Sequence, residues 1–291
     1  MSLDSMKEIF DLMAEKNKPF WEVVLEDDME TRQVTRNQSM AKMLLTWQAM
    51  ADAADSYTGR KRSVSGLVGG DGMKMRQYCI KGEALSGGYV SEVIAEALSM
   101  AESNACMRRI VAAPTAGACG VLPAVLLPLC KYEELSQHQL LEALYVASGI
   151  GAVIAYRACI AGASGGFQAE IGTASAMAAG ALTSLRGGDP QQIGHAAAMA
   201  LKNLMGLVCD PVAGLVEVPC IKRNVVGAVN AVSCANMALA GGDYAIPCDE
   251  VIDAMGRVGS LLSPDLRETG QGGLAATPTG IRIAEQLAEE T

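Results

Sequence analysis

Aromatic side chains are scarce in this chain of 291 residues. Phe, Tyr and Trp make up 4% of it, although hydrophobic residues of all kinds make up 50%. The core must therefore be filled mainly by Ala, Val, Leu, Ile and Met, and an interior of such side chains favours closely packed helices. Alternating apolar runs bounded by turn residues, which would indicate strands, are also rare. The sequence predicts a mainly α protein.

Positive charge is in deficit as well. The chain has 23 Lys and Arg against 32 Asp and Glu, which gives a net charge of −9 at pH 7. A protein that binds nucleic acid needs a basic face to neutralise phosphates. The composition therefore argues against a nucleic-acid partner and favours small molecules or proteins.

Histidine and the common metal and nucleotide motifs are nearly absent. The chain has 2 histidines, His138 and His195, and neither lies in a glycine-rich loop. This disfavours a Cys–His or Ser–His–Asp enzyme. There is no CxxC pair, no HExxH and no GxxxxGK[ST], so a zinc site and a nucleotide site are also disfavoured.

Neither a secretory signal nor a membrane span is predicted. The N-terminal segment MSLDSMKEIFDLMAEKN is mixed in charge and has no apolar core, so we expect the 9 cysteines to be reduced thiols of a cytoplasmic protein. The most apolar stretch, Ala143 to Ala163, is interrupted by Ser148, Tyr156 and Arg157. We expect it to pack against other helices.

Helical periodicity runs through most of the chain. Ser5 to Lys16 and Phe20 to Tyr57 are each predicted to be helical, and residues 1–57 are interpreted as a helical N-terminal arm. Residues 58–291 are predicted to form one large helical domain. Within it, helices are predicted at 88–108, 169–185, 225–239 and 249–262. The segment 169–185 has small residues at nearly every position and is therefore placed in the middle of the bundle.

Three further helix starts carry capping signals. Ser136 with Gln139, and Asp189-Pro190 with Gln192, have the spacing of a capping box. Thr277-Pro278 places a hydroxyl residue and a proline at the start of the last helix.

Four segments rich in glycine or proline interrupt these helices. We expect them to converge on one pocket, because so many such loops exceed what connections require. They are Thr58–Met75, Pro114–Gly120, Cys209–Asn224 and Leu266–Gly280.

The segment CDPVAGLVEVPCIKRN, Cys209 to Asn224, is the first candidate for chemistry. Its two cysteines are 11 positions apart and enclose Pro211 and Pro219, which prevent a continuous helix. Thiolates in a rigid loop suit a soft metal or an iron–sulfur cluster, although two cysteines alone are a weak signal.

This segment, together with AAPTAGACGVLPAV, GASGGFQAEIGTASAMAAGAL and LRETGQGGLAATPTG, resembles the α chain of the iron–sulfur-dependent L-serine dehydratase family. The resemblance runs through essentially the whole chain. It implies a lyase that needs no pyridoxal phosphate (PLP) and turns L-serine into pyruvate and ammonia. It also implies a helical catalytic chain that works with a separate β chain, and a [4Fe–4S] cluster held by three cysteines.

Two of the three ligand positions match Cys209 and Cys220. The third lies in the GG-x-QAE motif, 42 positions before Cys209, and here it is Phe167. Three interpretations stay open: another thiol, Cys159 or Cys119, replaces the missing ligand; the chain is a pseudoenzyme or assembly subunit without a cluster; or Phe167 is tolerated with weakened binding.

The reaction implied by the resemblance suggests roles for four polar residues. Lys74, placed in the GGDGMKM loop, is the candidate base that removes the Cα proton, and Asp71 in the same loop is a candidate for orienting the substrate amine. Thr115 is a candidate for binding the substrate carboxylate. Asn224 follows the cysteine loop closely enough to help bind the substrate or support the cluster.

Overall fold

The computed structural model describes residues 3–289. This part of the chain is about 70% helical and contains no strand, which confirms the prediction of a mainly α single domain. Its helices are α1 (Met6–Lys16), α2 (Phe20–Arg32), α3 (Arg36–Asp55), α4 (Asp71–Ile80), α5 (Gly87–Ala105), α6 (Val121–Tyr132), α7 (Gln137–Arg157), α8 (Gly162–Gly165), α9 (Thr173–Leu185), α10 (Pro190–Asn203), α11 (Cys220–Leu239), α12 (Cys248–Leu261) and α13 (Pro278–Glu289). Residues 1, 2, 290 and 291, at the ends of the predicted units, lie outside the described residues.

The predicted capping boxes are confirmed. The Ser136 and Asp189 side chains accept hydrogen bonds from the backbone N–H groups of Gln139 and Gln192, and each glutamine side chain bonds back to the N-cap backbone. These reciprocal bonds satisfy donors that a helix start leaves free. The last helix begins at Pro278, as predicted.

Other predicted boundaries were wrong. The prediction of one helix over Phe20–Tyr57 fails because Gln33 takes a left-handed conformation, with φ of 55°, and Thr35 forms a new capping box with Gln38. The glycine-rich loop predicted from Thr58 to Met75 ends sooner, since α4 begins at Asp71. Asp71 and Lys74 therefore lie on a helix and not in a loop.

Helix α9 lies at the centre of the bundle and contacts α6, α7, α10 and α11. Residues 173–183 are all buried, because their small side chains let neighbouring helices approach from several sides. A Cβ atom on Gly180 would stand 2.1 Å from Ile150 Cδ1 of α7. The predicted central position is confirmed, although the preceding turn, Gln168–Gly172, is a π-helix.

Helix α7 contains most of the apolar stretch identified in the sequence. Among the described residues it is the one helix long and apolar enough to cross a membrane, yet 67% of its most apolar window is buried inside the chain. It packs against α2, α3, α9 and α12. These contacts are those of a core helix, in line with the packing predicted for this segment.

The N-terminal arm packs against the rest of the chain. Phe20 and Val24 of α2 lie against Gly149 of α7, where a Cβ atom would stand 2.5 Å from Val24 Cγ2. The Met6 and Lys7 backbone N–H groups donate to the Asp249 carboxylate of α12, at 2.8 and 3.0 Å. The proposed domain boundary at residue 57 stays a prediction.

Candidate active site

The segment Cys209–Asn224 is anchored to the C-terminal glycine-rich loop. The Cys209 backbone N–H donates to the Leu266 carbonyl (2.8 Å), and the Glu268 backbone N–H donates to the Cys209 carbonyl (2.7 Å). The Asp210 carboxylate accepts hydrogen bonds from the Leu274 backbone N–H and from the Arg223 guanidinium, both at 2.8 Å. These contacts fix the first cysteine from both sides.

The second cysteine, Cys220, is the first residue of α11, because Pro219 ends the loop directly before it. Cys209 and Cys220 are both buried. Burial, together with the nearby Glu170 carboxylate, raises the pKa of the Cys220 thiol to about 12, and the same two causes raise the pKa of Cys209. Both are therefore protonated thiols at neutral pH unless a cation displaces the proton.

Glu170 lies beside this thiol pair, and the sequence reasoning did not select it. Its Oε2 atom and the Cys209 sulfur both lie against Gly162. A Cβ atom added to this glycine would stand only 2.7 Å from Glu170 Oε2 and 3.0 Å from Cys209 Sγ, so a larger residue would not fit there. The Thr115 hydroxyl donates to Glu170 Oε1 at 2.5 Å. Burial raises the pKa of Glu170 to about 7, against the lowering effect of the Thr115 hydrogen bond.

Phe167 is buried at the edge of the same site. Its ring lies 5.5 Å from the Arg223 guanidinium carbon, in a cation–π arrangement, while Arg223 also donates to the Val208 carbonyl at 2.8 Å. A Cβ atom on Gly117 would stand 3.4 Å from Phe167 Cε2 and 3.0 Å from Glu170 Oε1. Phe167 is thus packed between the Arg223 side chain and the loop that carries Thr115.

Asn224 forms hydrogen bonds with the Pro114–Gly120 loop and with Cys220 at the start of α11. Its side-chain N–H₂ donates to the carbonyls of Gly117 (2.8 Å) and Cys220 (3.0 Å), and its Oδ1 accepts the Gly120 backbone N–H at 2.9 Å. These internal bonds explain why Asn224 is buried, and they give it a supporting position beside Cys220. Its predicted role in binding substrate stays a prediction.

Lys74 and Asp71 lie near the start of α11. Lys74 Nζ and Lys222 Nζ are 2.9 and 2.8 Å from the two carboxylate oxygens of Asp71. The Lys74 side chain is 70% exposed. The structure therefore brings Asp71 to Lys222, two residues beyond Cys220, while Lys74 points outward in an ion pair.

The remaining loop, Thr58 to Gly70, also contacts the cysteine segment. The Ser63 hydroxyl donates to the Glu217 carboxylate at 2.9 Å, and Ser65 donates to the same oxygen. Every other predicted loop therefore contacts the Cys209–Asn224 segment, while the convergence of the loops on one pocket stays a prediction.

Comparison with known proteins decides the family. The family model described as "Serine dehydratase alpha chain" matches residues 15–275. This chain belongs to the serine dehydratase alpha chain family. It is 44% identical to the "Probable L-serine dehydratase, alpha chain" of Bacillus subtilis, over 97% of this chain and 94% of that protein. It is 38% identical to the "L-serine dehydratase, alpha chain" of Peptoniphilus asaccharolyticus, over 99% of both chains.

A longer relative matches in part. "L-serine dehydratase 2" of Escherichia coli is 46% identical over 181 residues, which are 62% of this chain and 40% of that protein. Membership of the serine dehydratase alpha chain family confirms the prediction of a lyase, and no comparison favours the alternative of a pseudoenzyme.

The family resemblance implies a cluster with a cysteine ligand at position 167, which is Phe167 in this chain. Phenylalanine has no atom that binds iron, so the three-cysteine set is incomplete. The Gly162 cradle is lined by the Cys209 thiol and the Glu170 carboxylate, and the charge of the same carboxylate also raises the pKa of the Cys220 thiol. Thiolates and carboxylates can each bind iron.

These three groups are not arranged for a single metal ion. Among the described residues, no three His, Cys, Asp or Glu side chains converge closely enough to hold one. A single ion needs every donor within roughly 2.0–2.6 Å of one point. The described residues therefore supply two thiols, and no third side chain completes the set that the resemblance implies.

Proposed function

We propose that this chain is the α subunit of an L-serine ammonia-lyase, which converts L-serine to pyruvate and ammonia. The observation that carries the proposal is the 44% identity, over 97% of the chain, to a protein named as an L-serine dehydratase alpha chain. The buried cysteines near Glu170 support it, because burying a carboxylate costs free energy that packing alone does not repay.

The reaction requires two bonds of serine to break. A base removes the Cα proton, and the β-hydroxyl group leaves as water, which gives an enamine that tautomerises and is hydrolysed to pyruvate and ammonia. The family relationship supports a reaction without PLP. We propose that Cys209 and Cys220 hold an iron–sulfur cluster, which supplies a Lewis acid for the hydroxyl group when it is bound.

The chain's own residues position the substrate in this proposal. The backbone N–H groups of Ala116 and Gly117 begin a short 3-10 helix directly after Thr115, where the first donors have no helical acceptor. A substrate carboxylate bound there would lie close to Glu170 Oε1, so the ammonium group of serine would also find an acceptor nearby.

Lys74 is our proposed base, and Asp71 is proposed to orient the substrate amine. Lys74 is exposed and paired with Asp71. The role therefore requires that the substrate or a partner chain cover this end of α4.

The partner we propose is the β chain that the names of the relatives from B. subtilis and P. asaccharolyticus imply by calling them alpha chains. A cytoplasmic location is proposed from the sequence composition alone.

The test is formation of pyruvate from L-serine by the α chain produced together with its β chain, purified and reconstituted without oxygen. We expect pyruvate formation that hydroxylamine, which traps PLP, does not inhibit. Cys220→Ala should abolish it, whereas Cys234→Ala, a buried cysteine further along α11, should retain it. Absence of pyruvate from both the α chain and the α–β complex would contradict the proposal.

A further inference from the structure

A cavity of about 490 Å³ lies between α4, α5 and α6. Cavities that bind small molecules have volumes of about 300–1,000 Å³ and combine an apolar lining with a few polar groups. The described lining shares no residue with the candidate active site. Its polar and thiol side chains include Arg76, Cys79, Glu92, Glu96, Lys131 and Tyr132. The cavity therefore has the size and the composition of a separate ligand site.

Glu96 is a buried carboxylate at this cavity. It is 6% exposed, and burial raises the pKa of its carboxyl group, although the Arg76 guanidinium donates to Oε2 at 2.8 Å. The other oxygen, Oε1, is buried without a hydrogen-bond partner in the part of the chain that the structure describes. Buried polar atoms without a partner are uncommon in folded proteins. Glu96 can therefore accept a further hydrogen bond from a ligand.

The charged groups of the cavity form two ion pairs. Arg76 pairs with Glu96, and Lys131 Nζ lies 2.9 Å from Glu92 Oε2. These four formal charges cancel, so the net charge favours neither a simple anion nor a simple cation. A ligand with opposite charges on neighbouring atoms can instead donate to the carboxylate of a pair and accept from its cation.

The pair of Arg76 and Glu96 is suited to such a ligand. The Arg76 guanidinium carbon lies 5.5 Å from the centre of the Tyr57 ring, which helps to fix its position. A guanidinium has five N–H donors, so the bond to Glu96 leaves others for a ligand carboxylate. The ammonium and carboxylate groups of an α-amino acid are bonded to one carbon atom, and they need an acceptor and a donor side by side. We propose that this cavity binds a free α-amino acid, whose ammonium group donates to Glu96 and whose carboxylate accepts from Arg76.

The remaining lining indicates the kind of side chain. Ile80, Ala84 and Ala95 supply apolar surface, and the half-exposed Tyr132 ring lies beside them in the lining. Ile80 is 85% exposed, so an apolar group bound here would remove its surface from water. An amino acid as small as serine would leave most of the volume unfilled. The ligand is therefore an amino acid with a large apolar side chain, and this inference does not depend on the proposed function.

The test is isothermal titration calorimetry of the full chain with L-phenylalanine and with L-leucine. We expect saturable binding of at least one of them. Phenethylamine lacks the carboxylate of phenylalanine and 3-phenylpropanoate lacks its ammonium group, and each should bind at least about tenfold more weakly, because hydrogen bonds to a charged group are lost. Glycine, which has no side chain, should also bind at least about tenfold more weakly than the better of the two amino acids.

Three variants connect the binding to this cavity. Glu96→Gln keeps the shape of the side chain but removes its charge, and it should weaken binding by at least about tenfold. Ala84→Trp, at a half-buried loop position, should fill the cavity and abolish binding while Glu96 is intact. Glu134→Gln, which removes an exposed carboxylate outside the lining, is the control and should leave the affinity unchanged. Circular dichroism checks that each variant is folded.

Cysteine alkylation gives the location independently. Cys79 lines the cavity, whereas Cys106, at the C-terminal end of α5, does not, and both are partly exposed. The bound amino acid should slow the reaction of N-ethylmaleimide with Cys79 and leave that of Cys106 unchanged, as measured by peptide mass spectrometry. The inference is overturned if neither amino acid binds, if phenethylamine binds as tightly as L-phenylalanine, if folded Ala84→Trp keeps the wild-type affinity, or if Cys79 is not protected.

Discussion

At the scale of single residues, Asn224 connects the two loops that form the cradle. Its three hydrogen bonds join Gly117 and Gly120 of one loop to Cys220 at the start of α11. All of these groups are buried away from water. A buried polar group left without a partner costs about 1–3 kcal/mol, so the cost of removing this side chain is several times that of an ordinary surface substitution.

Asn224→Ala should lower the free energy of unfolding by at least about 2 kcal/mol, because the Gly120 N–H and the Gly117 carbonyl lose their partner. Chemical denaturation followed by circular dichroism measures this change. Asn236→Ala, at an exposed position of the same helix, is the matched control and should change stability by less than about 0.5 kcal/mol. Equal effects of the two substitutions would refute the bridging role of Asn224.

The residues of the site were only partly predictable. Cys209, Cys220, Thr115 and Asn224 could be selected because each lies in or beside a loop with proline or glycine. Glu170 was missed because it lies in a run of small residues that indicates a packing helix. Its signal was that it is the single charged residue from Ala169 to Leu185. Which oxygen faces which thiol depends on contacts between loops far apart in sequence, and periodicity does not encode them.

At the scale of elements, the capping boxes at Ser136 and Asp189 could be predicted because each precedes an apolar run. The equivalent box at Thr35 was missed because it lies inside a longer amphipathic stretch, where local bonds compete with continued periodicity. The early start of α11 was also missed, since Pro219 and the lysine and arginine that follow Cys220 resemble a loop. Proline is in fact well tolerated just before a helix.

Helix α12 lies close to α8 because residue 259 is a glycine, which has no side chain to keep the helices apart. A Cβ atom on Gly259 would stand 2.9 Å from the Gly165 Cα and 3.1 Å from the Gly165 carbonyl oxygen. These are backbone atoms of the short helix that carries the Gly162 cradle, so they cannot move aside as a side chain would. The contact links the C-terminal part of the chain to the site.

Gly259→Ala should lower the free energy of unfolding by about 1–3 kcal/mol. The free-energy cost of forcing a methyl group against the backbone exceeds the gain of about 1 kcal/mol that alanine brings to a helix interior. Thermal unfolding measures the net effect. Ser260→Ala, the neighbouring exposed position of α12, is the control and should leave the melting temperature nearly unchanged. A stabilised Gly259→Ala variant would mean that helix propensity outweighs this contact.

At the scale of the whole molecule, the N-terminal arm is part of the core. Met50 and Trp47 of α3 and Val24 of α2 belong to the same hydrophobic cluster as the residues of α7 and α9. Trp21 packs edge-on against His138 at the start of α7, with ring centroids 5.6 Å apart. A segment that shares its apolar surface with the central helices loses that burial when they separate, so arm and bundle should unfold together.

The positions of the tryptophans allow this to be measured without labelling. Both tryptophans, Trp21 and Trp47, lie in the arm, so intrinsic fluorescence reports the arm, while far-ultraviolet circular dichroism reports all the helices. We expect the two signals to give the same midpoint in thermal and chemical unfolding. Val24→Ala, which removes two buried methyl groups facing Gly149, should lower both midpoints equally. If fluorescence changed at a lower temperature than circular dichroism, residues 1–57 would be an independent unit, and the arm could be removed without unfolding the helices that form the site.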